Sequence, residues 1–133
     1  MTSIVTYQGN LRCESTHLKS NVSFITDAPL DNNGKGEAFS PTDTVATAVA
    51  SCMLTVMAIK ATEMQNDLTG SIAKVTKHMT VDPRRISQID IQLNIQGNCD
   101  QRTQIILESV ANTCPVLNSL HTTIVKNIIF NWE

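Results

Sequence analysis

The sequence predicts an α+β fold in which a mainly antiparallel sheet wraps on a long central helix, and three observations carry that reading. Apolar and polar residues alternate with a period of two from Ala73 to Val81 and again from Ile89 to Gln96, the pattern of half-buried strands. From Ala46 to Ala61 the composition is small and apolar and the spacing is helical. The order of elements is strands, long helix, hairpin, helices and a final strand, with no series of parallel βαβ units evident.

The first forty residues read as two or three strands, around Ile4–Tyr7, Leu11–Thr16 and Val22–Thr26, followed by the loop Asp31-Asn32-Asn33-Gly34-Lys35-Gly36. The long helix then has a marked start. Ser40 suits the N-cap, Pro41 suits the first helical position, and Asp43 sits where its carboxylate can reach back to the cap. Gly70 lies a few residues beyond its end. Val45, Val49, Cys52, Val56 and Ile59 form one apolar stripe on this helix, and Ala46, Ala50, Met53 and Met57 form a second beside it. A helix apolar on so much of its surface has to be enclosed, and one 14.6 kDa chain is short of material to enclose it, so a partner subunit is expected.

Asp82-Pro83-Arg84-Arg85 carries turn chemistry between two alternating strands, which predicts an antiparallel hairpin. Asp100 can cap a helix from about Gln101 to Asn112, with Ile105, Ile106, Leu107, Val110 and Ala111 toward the core. Cys114-Pro115 restarts the chain as a short helix. Thr122 to Trp132 reads as a last strand, with Ile124, Ile128, Phe130 and Trp132 on one face and Lys126 as the exception. No internal repeat or low-complexity linker interrupts the 133 residues, so a single domain over 1–133 is expected.

A formal charge of −2, with acidic and basic residues interspersed, supplies no basic field for phosphate backbones, so nucleic acid is not an expected partner. A membrane is not expected either. Thr47, Ser51, Thr55 and Lys60 interrupt the apolar run, where a spanning helix needs about 20 mainly apolar residues. Met1-Thr2-Ser3-Ile4-Val5 has neither a basic nor an apolar leader region, which points to the cytoplasm. In a reducing compartment the four cysteines would rest as thiols.

Two of those cysteines stand out. Cys52 lies inside the long helix and Cys114 immediately precedes Pro115, and a pair of thiols on separate elements suggests peroxide or disulfide chemistry. Local physics alone favours Cys114 as the nucleophile, because the free N–H groups of a helix start stabilise a thiolate. Burial of Cys52 among Val49, Met53 and Val56 would raise its pKa unless a cation is brought to it. Cys13 and Cys99 read as structural. His17, His78 and His121 make no metal spacing with any cysteine, so neither a metal nor another cofactor is expected. A hydrolase built on Cys114 and His121 lacks the oxyanion donors and third residue that acyl transfer needs.

Ser40-Pro41-Thr42-Asp43, the small-residue run ending in Ser51-Cys52, and Cys114-Pro115-Val116 followed by Asn118-Ser119-Leu120 together resemble the OsmC/Ohr family of thiol peroxidases over nearly the whole chain. The resemblance implies an intertwined homodimer with the two long helices packed centrally. It implies Cys52 as the peroxidatic thiol and Cys114 as the resolving one. It also implies reduction of organic hydroperoxides, or hydrogen peroxide less well, without metal or flavin, with recycling in some members by lipoylated proteins. Arg12, in Gly9-Asn10-Leu11-Arg12, is the nearest match to the family's thiolate-pairing arginine. An arginine suits that role because it stays charged when desolvated and its planar fork can hold both a thiolate and a peroxide oxygen.

One departure matters. The best-known peroxidase branches carry a glutamate directly after the helix-start proline, where it anchors the arginine, and this chain has Thr42. Threonine cannot form that ion pair, and the capping role of Asp43 is explanation enough for its presence. Either Arg12 is held otherwise or the site is tuned differently. The competing function is a dimeric binding or stress-associated module that keeps the fold without efficient peroxidase turnover.

Overall fold

A computed structural model describes residues 1–133. The chain forms two compact units, residues 1–45 and 46–133.

In the first unit β1 (Ser3–Gly9), β2 (Arg12–His17) and β3 (Ser23–Asp27) form an antiparallel sheet in that order. The β1–β2 turn is made by Asn10 and Leu11, both with positive φ (55° and 62°), the backbone a two-residue hairpin turn requires. Leucine is an unusual occupant of that region. Its peptide is held from both sides: Leu11 N–H donates to the Tyr7 hydroxyl (3.3 Å), and Ala28 N–H donates to the Leu11 carbonyl (3.0 Å). After β3 a short 3-10 turn, Leu30–Asn32, leads toward the long helix. Gly34 passes so close to the Ala28 carbonyl that any Cβ there would collide with it.

Helix α1 runs from Pro41 to Glu63 and begins in a reciprocal cap. Ser40 N–H donates to the Asp43 carboxylate (2.9 Å), and Asp43 N–H donates to the Ser40 hydroxyl (3.1 Å). By length and composition alone α1 could cross a bilayer. Its residues Ala46, Val49, Ala50, Met53, Met57 and Ala61 instead form the core of the second unit with strand and helix residues.

That unit holds β4 (Ile72–Thr80), β5 (Arg85–Ile95) and β6 (Val125–Trp132), with α2 (Gln101–Ala111) and α3 (Pro115–Asn118) between the last two strands. The expected hairpin is present as antiparallel β4–β5. The final strand differs from the reading of the sequence: β6 lies parallel to β5, joined through α2 and α3, so the chain does contain one parallel crossover. The strands also form two separate three-stranded sheets. The α+β class and the predominance of antiparallel pairs stand.

The core is filled by the α1 row with Ile89, Ile91, Leu93 and Ile95 of β5 and Leu107 and Ala111 of α2. Asp100 caps α2 by accepting from Thr103 N–H (2.8 Å), and the inward Trp132 donates its indole N–H to Glu108 (2.8 Å). On α1 the single chain covers the alanine and methionine row and leaves Val45 and Ile59, on the other apolar stripe, exposed. One expectation about facing is corrected on α2. Ile105 is exposed and only Leu107 and Ala111 are the fully buried apolar positions of α2. Cys52 is half-buried rather than enclosed.

Met53 has no exposed surface, so Met53→Ala should cost about 2–5 kcal/mol through lost burial and the cavity left behind. Ile105→Ala, at an exposed position, should stay within about 0.5 kcal/mol. Denaturant unfolding of the two variants beside the parent checks the contrast, and equal losses would contradict this account of the core.

Candidate functional site

The second unit brings together two thiols that stand 62 residues apart in the chain. Cys52 sits on α1 next to the buried Met53, half-open to solvent. Cys114 caps α3 and is fully buried, and no disulfide joins the two. Its position has a local cause. Pro115 suits the first position of α3, lacking the N–H that would be unpaired there, and leaves the Cys114 sulfur to take the N–H of Leu117 (3.4 Å). The same sulfur lies 3.9 Å from the carbonyl of Val49, one helical turn before Cys52, which sets Cys114 against α1.

These surroundings decide how Cys114 titrates. Burial pushes its thiol up, and hydrogen bonding with Cys52 acts in the same direction. The N–H groups of Leu117 and Val116 pull the other way without prevailing. The helix-start argument that favoured Cys114 as a resting thiolate is therefore outweighed by desolvation. At rest Cys114 is a protonated thiol in contact with its half-exposed partner.

Arg12 belongs to the first unit, where β2 and β3 place it directly opposite Asp27. The pair is bidentate: Nε donates to Oδ1 (2.7 Å) and Nη2 donates to Oδ2 (2.8 Å), and a longer contact reaches Glu37 (3.5 Å). The Arg12 side chain is 34% exposed and that of Asp27 only 4%. The guanidinium hydrogen bonds hold the Asp27 carboxyl below the usual carboxylate range even though burial opposes them. Asp27 in turn raises the Arg12 pKa. Asp43 is committed to the α1 cap, as its spacing predicts. Asp27 carries no local signal in the sequence, since its pairing with Arg12 depends on cross-strand register between residues 15 positions apart.

The remaining candidates are accounted for locally. Cys13 is half-buried on the first sheet. Cys99 is buried against Asn66 (3.6 Å), and burial pushes its thiol up with help from Asp100. His78 pairs with Asp90 (2.6 Å), whose carboxyl is held low first by Gln88 and then by His78. No group of three or more His, Cys, Asp or Glu is placed to hold a metal ion.

Residues 34–128 match the family model of OsmC-like proteins. Among solved structures, a protein of Psychrobacter arcticus 273-4, provisionally described as an osmotic stress induced and detoxification response protein, is 52% identical, with a TM-score of 0.94 over 98% of this chain and 95% of that one. An OsmC-like protein of Mycoplasma pneumoniae superposes with a TM-score of 0.81 at 14% identity over 98% and 94%. An organic hydroperoxide resistance protein of Legionella pneumophila does so at 0.72 and 16% over 98% and 97%. The last two likenesses are of fold. No curated protein shows a significant sequence match.

A carboxylate held below its usual range contributes stability that is present at neutral pH and lost as the pH falls through its folded-state value. Asp27 is such a group, so Asp27→Asn should flatten the loss of stability as the pH falls below about 4. Denaturant midpoints measured across that range check it, and unchanged steepness would contradict the pairing.

Proposed function

Because the chain belongs to the OsmC-like family and its second unit pairs a half-exposed with a buried thiol, we propose that it is a thiol peroxidase, with Cys52 peroxidatic, Cys114 resolving and Arg12 the thiolate partner. The observation that carries this reading is the Cys52–Cys114 contact. In the first step the Cys52 thiolate attacks the distal oxygen of a hydroperoxide, the O–O bond breaks, and the leaving alkoxide or hydroxide takes a proton to depart as alcohol or water. Cys52 is then a sulfenic acid. In the second step the Cys114 sulfur attacks the Cys52 sulfur, a disulfide forms, and the sulfenic oxygen leaves with two protons as water. External dithiol returns both residues to thiols and is itself oxidised to a disulfide.

The asymmetry of the two sites suits those roles. Half-exposure gives peroxide access to Cys52, while burial protects Cys114 from direct oxidation. The N–H groups of Leu117 and Val116 favour the anion that Cys114 must become during resolution. Arg12 takes the role that the family resemblance gives its arginine, a cation whose planar fork can hold both a thiolate and a peroxide oxygen. The likeness to an organic hydroperoxide resistance protein of Legionella pneumophila points to organic hydroperoxides as substrate class, and a small dithiol or lipoylated protein as reductant fits a cytoplasmic setting.

The same reading includes a homodimer. Val5 and Phe24 share one face of the first sheet through Ser15, and they remain 61% and 53% exposed, with Tyr7 at 63%. Three strands need a covered apolar face to be stable, and a second copy of the chain supplies one. Sedimentation at micromolar concentration should show a dimer, and dilution should cost secondary structure together with association. A stable, folded monomer under those conditions would end this part of the proposal.

Stoichiometric cumene hydroperoxide should yield an intramolecular Cys52–Cys114 disulfide by peptide mapping. Cys52→Ser should abolish peroxide consumption, whereas Cys114→Ser should permit one turnover and leave Cys52 as sulfenic or higher acid. The reverse pattern would exchange the two roles. If neither thiol outpaces free cysteine, the binding-module reading takes the place of the peroxidase.

A further inference from the structure

We infer that Cys114 acts in the first step of the reaction and not only in the second: its S–H is the hydrogen-bond donor that steadies the Cys52 thiolate while the thiolate attacks the peroxide. The inference rests on the peroxidase reading above and deepens it with residues of the second unit alone.

The geometry begins with the partners of one sulfur. A thiol has one proton to give and a weak capacity to accept. The Cys114 sulfur accepts the Leu117 N–H (3.4 Å) at the start of α3, and its own S–H turns the other way, toward α1. Two acceptors stand there. One is the Val49 carbonyl, at 3.9 Å. The other is the Cys52 sulfur, with which Cys114 is hydrogen-bonded. They are neighbours for a helical reason, because a carbonyl in an α-helix points along the axis toward the turn that follows it, and Cys52 stands three residues after Val49.

The charge on Cys52 decides between the two acceptors. Against a neutral Cys52 the S–H has two weak bonds to choose from. Against a thiolate the choice is one-sided, since a hydrogen bond to an ionised group is roughly twice as strong as one to a neutral group. No water competes for the proton, because Cys114 has no exposed surface, and the low dielectric around it strengthens the bond. The proton is there to be given: burial first, and then the hydrogen bond with Cys52, keep it on the Cys114 sulfur. Cys114 is buried and Cys52 is half-open, so the donor reaches the Cys52 sulfur from the core side and leaves the open side to the peroxide.

The test compares variants at Cys114 by the reactivity of Cys52, which peptide mapping separates from the other thiols. Alkylation by iodoacetamide is followed across pH, and sulfenic acid formation is followed after single-turnover mixing with cumene hydroperoxide. Cys114→Ala removes the donor and should slow both reactions about tenfold near neutral pH, with the difference in alkylation closing at high pH, where the thiol ionises unaided. Cys114→Ser keeps an O–H at the same place and should stay within about threefold of the parent. Cys114→Val, which fills the space without a donor, serves where the alanine variant does not fold and should behave as alanine does. Equal rates in the parent and every variant would mean that Cys52 reacts without help from Cys114, and the inference falls. Equal slowing in the serine and alanine variants would also overturn it, because the loss would then follow the packing of the sulfur and not its proton. A parent Cys52 that alkylates faster than in the alanine variant, yet meets peroxide no faster than free cysteine, would overturn the peroxidase reading while the donor bond itself stands.

Discussion

The Cys114 sulfur lies without solvent contact between the N–H of Leu117 and the carbonyl of Val49, and much of the second unit serves to keep it there. The contact joins the residue directly before Pro115 to a helix that began more than seventy residues earlier. For the two to meet, α1 must bury its alanine and methionine row against β5, and α2 must bring the chain back to the same side. Each has its own cause. The reciprocal Ser40–Asp43 cap fixes where α1 starts, Asp100 fixes where α2 starts, and Pro115 fixes where α3 starts. Moving any one start by a residue would turn the following helix by about 100° and carry a thiol away from its partner.

Desolvation sets the two thiols apart. Cys114 has the helix-start N–H groups that ordinarily favour a thiolate, yet loss of water outweighs them and keeps the proton on. Cys52, one helical turn beyond Val49, stays half-open. In the proposed reaction a buried thiol that keeps its proton is suited to the second, resolving step. A half-open thiol is suited to meeting a small substrate.

Periodicity made the elements legible. The alternation in β4 and β5, the caps of α1 and α2 and the proline start of α3 are local signals, and local forces enforce them. What could not be read depended on register or on tertiary burial. Alternation is the same for a parallel and an antiparallel strand, so β6 gave no sign of its direction. Helical spacing predicted a broad apolar surface on α1 but not which arc of it would be buried, and Val45 and Ile59 fell outside that arc. The pairing of Cys52 with Cys114 came from the family resemblance, and the balance of burial against helix-start N–H groups at Cys114 required the packed neighbours.

The arginine illustrates the same limit in the other direction. From sequence, the absence of a carboxylate after Pro41 leaves Arg12 without an evident partner, and the one acidic residue nearby, Asp43, is spent on the cap. The partner of Arg12 lies across a sheet rung. A left-handed Asn10-Leu11 turn starts β2 at Arg12, the antiparallel register then sets Asp27 opposite, and the pair closes with both carboxylate oxygens used. An ion pair made by neighbouring strands of one hairpin sheet is held by backbone hydrogen bonds on both sides. A pair reaching from a strand to a helix start would depend on the packing of two elements. Placing the anchor within the sheet makes the orientation of the guanidinium a property of the strands themselves, independent of whichever residue follows the proline of α1.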